Sequence, residues 1–101
     1  MLIARWQIDA RFGHRQQVID RLQYWAREIA PKAGLTIGRI LTGSVGALEA
    51  TVIHEWEVAD LGALGSAWNQ LATIDAHAAW GKELEAVVVS GTARWEIFRV
   101  Q

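Results

Sequence analysis

The chain has no cysteine, which removes disulfides, thiol nucleophiles and thiolate metal sites together. Neither sign of charge prevails: 10 Lys and Arg stand against 11 Asp and Glu, with no block of one sign. A phosphate backbone would find no basic footprint on such a surface, so nucleic acid is not an expected partner. Every apolar run is broken by a charge well before the roughly 20 residues needed to cross a bilayer. The opening MLIARWQID alternates, where a secretory signal would set a basic segment before an apolar block. It reads as a strand, and a cytoplasmic protein with no membrane partner is the expectation. His-Glu-x-x-His, carboxylates at metal-ligand spacing, a glycine-rich phosphate loop and a G-x-S-x-G elbow are all missing. No metal or cofactor is expected, and hydrolase chemistry has no motif to rest on.

What the chain does have is an apolar half, 51% hydrophobic with 21% charged residues in 101 positions. That is the composition of one globular domain, taken as residues 1–101. It also has 6 tryptophans, more indole than a core of this size readily hides. Residues 2–9, LIARWQID, alternate with period two and form a strand. From about Arg11 to Ala30, Val18, Leu22, Trp25, Ala26 and Ile29 make one stripe of an amphipathic helix, which Pro31 and Gly34 end. LTIGRILT at 35–42 is a second strand, and GSVG at 43–46 turns it into a third from about Leu48 to Val58. Asp60 stands where a helix N-cap belongs, ahead of a stripe of Leu61, Leu64, Trp68 and Leu71. Asp75 can cap a further turn or two through His77, Trp80 and Leu84. ARWEIFRV at 93–100 alternates again as a fourth strand.

The order β, α, β, β, α, β is the ferredoxin-like split unit, an α+β fold with a four-stranded antiparallel sheet. Its two helical units can cover only one face of that sheet. Alternation sends Leu2, Ala4, Trp6 and Ile8, with Leu48, Ala50, Val52, His54 and Trp56, and with Trp95 and Ile97, to the covered face. The other face collects Ile3, Ile53, Phe98 and Val100 among Arg5, Glu55, Arg94 and Glu96. Such a mixture suits a self-complementary interface, in which Arg5 and Arg94 find acidic partners across a two-fold axis. The expectation is a homodimer with sheets face to face; a monomer with scattered surface apolar groups is the alternative.

These residues resemble the dimeric α+β barrel proteins, and most nearly the NIPSNAP-type family. Members of that family carry a Gly-x-Leu turn exit leading into a V-V-H-x-W strand, and GALEATVIHEW at 46–56 is similar, with one additional residue between turn and strand. The resemblance spans most of the chain, with its sharp part about ten residues long. It implies two ferredoxin-like protomers packed sheet to sheet, and it implies no particular activity. A second similarity is to the haem-degrading and quinone-forming monooxygenases of the same superfamily, which need no metal or flavin of their own. Trp68 and His77 stand in about the relation of their helix tryptophan and histidine, while their strand-one asparagine has only Gln7 as its nearest amide here, on the other face.

The candidate site follows from the covered face. His54 is either a buried histidine bonded to a neighbouring carbonyl or hydroxyl, or a ligand-facing donor and proton shuttle. Trp6, Trp56 and Trp95 share its face, with Trp25, Trp68 and Trp80 approaching from the helices. Packed solid they are core; packed imperfectly they leave a cleft for a flat apolar ligand. His77 joins them if it points to the sheet and is an ordinary surface residue if it does not. His14 is given no role. The site residues proposed are His54 and His77 for catalysis and Trp6, Trp56, Trp68 and Trp95 for binding a small aromatic molecule. Cofactor-independent oxygenation or isomerisation is the chemistry such a site suits, and a non-catalytic binding or assembly module with the tryptophans as core is the alternative.

Overall fold

The computed structural model describes residues 1–101. Strands β1 (Leu2–Asp9), β2 (Gly38–Thr42), β3 (Thr51–Val58) and β4 (Arg94–Arg99) form one sheet, with helices α1 (Arg15–Glu28), α2 (Leu61–Leu71) and α3 (Asp75–Leu84) and a 3₁₀ turn at Ala30–Ala33. All strand pairs are antiparallel and the order across the sheet is β2-β3-β1-β4. This is the ferredoxin-like α+β arrangement expected from the element order. Parity works as anticipated on the two central strands: Leu2, Ala4 and Ile8 of β1 and Val52, His54, Trp56 and Val58 of β3 are buried under the helices. Val18, Leu22 and Trp25 of α1 and Leu64, Ala67 and Leu71 of α2 close on them.

The ends of the elements differ from the sequence expectation for local reasons. The helix expected from about Arg11 begins at Arg15, because Gly13 takes φ +84° and the His14 N–H closes a turn on the Arg11 carbonyl. The second strand starts at Gly38 instead of 35, and Leu35 is buried as a core residue beyond the 3₁₀ turn. The third starts at Thr51, leaving a connection over residues 43–50 of which GSVG is only the first half. There the Leu48 carbonyl accepts from the Thr51 N–H in a turn and lies so close to Gly43 that a Cβ on it would sit 1.6 Å from that oxygen. Leu48 is therefore exposed and off the sheet, not on its covered face. Asp60 caps α2 as predicted, accepting from the Ala63 N–H at 2.8 Å. Asp75 does not cap: it lies in the first turn of α3, which runs for 10 residues and is a separate helix from α2.

The opposite face of the sheet carries a cluster that only the strand register reveals. Arg5 faces Glu55 across β1 and β3, and Arg39 faces the same Glu55 across β2 and β3. Both guanidiniums bond its carboxylate, at 2.9 and 2.7 Å, and Arg5 also lies over the Phe98 ring. Burial pushes the Glu55 carboxyl up, but the hydrogen bonds from Arg39 and Arg5 more than offset that and hold it below its ordinary range. Arg94 has Glu96 at 3.6 Å on its own strand. The acidic partners expected from a twin subunit are thus present in the same chain, because directly opposed residues on one face are neighbours.

Candidate functional site

His54 sits in the middle of β3, opposite Trp6 of β1 and Ile40 of β2. Central position and parity together take the imidazole out of water: it is 1% exposed, and its Nδ1 has no hydrogen-bond partner. The satisfied core histidine is therefore not what this strand contains. Desolvation pushes its pKa down to about 4, so at neutral pH it is an uncharged imidazole with acceptor capacity in hand.

Indoles surround it. Trp56, two residues along the same face of β3, has its ring centroid 4.0 Å from the imidazole, and Trp25 of α1 meets the imidazole edge-on at 5.5 Å. The Trp56 indole fits because the residue opposite is Gly38, where a Cβ would come within 2.5 Å of the ring. Trp25 touches Trp56 and Trp80 as well, and its indole N–H donates to His77 Nδ1 at 2.9 Å. Trp80 donates to the Arg21 carbonyl at 2.8 Å. His77 is on α3 and lies nearly parallel to Trp80; partial burial lowers its pKa. Trp95 of β4 bridges Trp56 and Trp68, with centroids 5.7 and 5.3 Å away.

Bulky indoles at these angles do not close flush. Between them lies a cavity of about 380 Å³, lined by all six tryptophans, His54, His77, Leu22, Leu71 and Ala72. Each of the six residues proposed from sequence, His54, His77, Trp6, Trp56, Trp68 and Trp95, borders it. Trp25 and Trp80 were not among them, yet they form its inner wall at 4% and 8% exposure. The signal for Trp25 was its place on the buried stripe of α1; for Trp80, its spacing of three from His77. Trp68 and Trp95 are 42% and 39% exposed and form the rim, not the interior. The helices leave the β4 edge uncovered there, which also exposes Ile97. His14 is not in the lining; it stands just before α1 and bonds to Gln17 of that helix. Gln7 faces Ile53 and Arg94 in the register of the open face and has no access to the cavity. No lining side chain carries a formal charge, and no group of three or more His, Asp or Glu is placed to share a metal ion.

No protein-family model matches the chain, and no curated protein matches it. Solved structures do. A NIPSNAP family protein from Agrobacterium tumefaciens superposes with a TM-score of 0.81 at 21% identity, covering 99% of this chain and 92% of that one. An uncharacterized NIPSNAP-like domain protein from Burkholderia xenovorans gives 0.74 at 15%, over 99% and 84%. A Deinococcus radiodurans protein, provisionally described as an antibiotic biosynthesis monooxygenase, gives 0.71 at 12%, over 100% and 93%. At these identities the likeness is one of fold. The chain has the ferredoxin-like α+β fold of NIPSNAP-type proteins, as the turn and strand at 46–56 led us to expect. No helix is long and apolar enough to cross a membrane.

Proposed function

We propose that this chain works as a homodimeric, NIPSNAP-like α+β barrel protein that binds a small, flat, largely apolar molecule in the tryptophan-lined cavity. The observation that carries the reading is a cavity of about 380 Å³ lined by six indoles and by a 1% exposed His54 whose imidazole is not satisfied within the chain. Nδ1 is closed off from the cavity, so a ligand hydroxyl would meet the imidazole at its other ring nitrogen, Nε2, and give it a partner that the chain does not supply. The indoles supply stacking surface and keep water out. The chemistry suited to such a place is cofactor-independent oxygenation or isomerisation of a phenol or enol. His54 accepts the hydrogen bond of the hydroxyl; with its pKa held at about 4 by burial, it takes the proton only where the oxyanion left on the ligand stays beside the imidazolium and pairs its charge. In isomerisation that proton returns to a ring or chain carbon; in oxygenation the anion passes an electron to dioxygen, the two recombine through a new carbon–oxygen bond, and the O–O bond breaks as water leaves, so that the phenol becomes a quinone. A non-catalytic binding module would bind the same ligands without turnover, and the burial of Trp25, Trp56 and Trp80 favours that second reading, since these three also serve as core.

Titrating the protein with a panel of two- and three-ring phenols and quinones should give saturable quenching of tryptophan fluorescence in the micromolar range. His54→Gln should weaken it while leaving the circular dichroism spectrum intact. A panel without a single binder overturns the proposal. The dimer is a separate prediction, supported by apolar side chains on the sheet face away from the helices, where Phe98 is 46% exposed. Light scattering at micromolar concentration should return twice the 11.2 kDa chain mass; a mass of one chain refutes it.

A further inference from the structure

Resting on that reading of the cavity, we infer that its two histidines have fixed and opposite hydrogen-bonding roles, His77 a donor locked by Trp25 and His54 the acceptor, so that the site selects an uncharged hydroxylated ring system over its carboxylate analogue. The lock on His77 is geometric. An indole N–H can only donate, and a neutral imidazole has one donor nitrogen and one acceptor. Because Trp25 Nε1 donates to His77 Nδ1 at 2.9 Å, that nitrogen must present its lone pair, and the ring proton sits on Nε2. Protonating Nδ1 would set two N–H groups against each other inside a partly buried contact, so His77 cannot act as the base without losing Trp25. Its role is to position: it offers one N–H and keeps it.

His54 is then the sole side chain in the lining with acceptor capacity to spare. The remaining lining residues are tryptophans, which donate only, and the apolar Leu22, Leu71 and Ala72. Nδ1 of His54 is sealed off without a partner, so the nitrogen that a ligand in the cavity can reach is Nε2, which accepts when the ring proton is on Nδ1. A ligand hydroxyl therefore has one place to deliver its hydrogen. A carboxylate has no hydrogen to give and would bring a charge next to His54 with no Lys or Arg in the lining to pair it, and burying an unpaired charge is strongly unfavourable.

Two measurements test this. Nitrogen-15 NMR of the ligand-free protein should show His77 with a bare Nδ1 and a protonated Nε2, and Trp25→Phe should turn that into a mixture of tautomers. A protonated Nδ1 in the native chain overturns the inference even if the variant fails to fold. Calorimetry with 2-naphthol, naphthalene and 2-naphthoate should show the naphthol bound tighter than either analogue by about fivefold or more, the factor expected of one hydrogen bond of ordinary strength. Equal binding of the naphthoate sinks the selection argument while leaving the cavity a ligand site. Failure of all three to bind removes the ligand site itself, and this inference with it.

Discussion

Trp25→Ala should destabilise the chain by roughly 3–5 kcal/mol, the range for deleting a large aromatic side chain from a packed interior. Trp25 is 4% exposed and packs against His54, Trp56, His77 and Trp80 at once. Its loss extends an existing cavity instead of letting the walls collapse, since the ring opposite belongs to β3 and cannot follow a helix inward. It also leaves His77 Nδ1 without its donor. Against a total stability of roughly 5–15 kcal/mol for a domain, that is at least about a fifth of what holds the chain folded. Urea titration should show a lower midpoint with an unchanged slope. Trp25→Phe, which keeps most of the ring contact and gives up the hydrogen bond, should lose well under half as much. Trp68→Ala at the 42% exposed rim should change stability by less than about 1 kcal/mol. If Trp25→Ala costs no more than Trp68→Ala, the inner wall does not support the fold in the way described.

The contrast between those two tryptophans marks what could be read from the sequence. Period-two alternation on the central strands decides which side chains go under the helices, and it put Trp6, His54 and Trp56 on one face correctly because β1 and β3 have neighbours on both sides. The same rule sent Trp95 and Ile97 to that face but could not show that an edge strand lies beyond helix cover, where both stay more than a third exposed. The Asp60 cap was legible because it is a contact over three residues. The Trp25 to His77 bond spans 52 positions and the Arg5 to Glu55 bond spans 50. Periodicity says nothing about contacts of that range, since they depend on how strands register and on where α1 crosses α3. The turn at 43–50 was misread for a related reason: Leu48 has the right parity for a strand, and only the close approach of Gly43 to its carbonyl shows that the backbone is turning there. All six proposed site residues nevertheless border one cavity, because a preference for one face is enough to gather large side chains even when their mutual hydrogen bonds are unknown.

Acid should weaken the fold well before its carboxylates are protonated. His54 is held at about 4 by burial, against an ordinary value of 6.5, so between those limits the unfolded chain binds a proton that the folded chain refuses. The stability linked to this group is fully present above about pH 6.5 and is lost as the pH falls toward 4, amounting to roughly 2 kcal/mol by pH 5 and roughly 3 kcal/mol in all. His77, lowered by burial in the same direction, adds to the loss over the start of that range. Glu55 contributes later: despite desolvation, its carboxyl is held below its ordinary 4.5 by Arg39 and Arg5, so its share of stability is present above that value and disappears only as the pH drops through its folded one. Urea midpoints measured at pH 7, 6 and 5 should therefore fall steadily for the native chain. They should fall much less for His54→Gln, which has no proton to bind. Equal slopes in the two proteins would mean that the imidazole is not kept neutral by burial, and the basis for treating it as a waiting acceptor would go with it. A bound phenol should leave the slope between pH 7 and 5 unchanged, where the folded imidazole is already neutral, and carry the fall in stability on below about pH 4, because a hydroxyl donating to the ring favours its uncharged form.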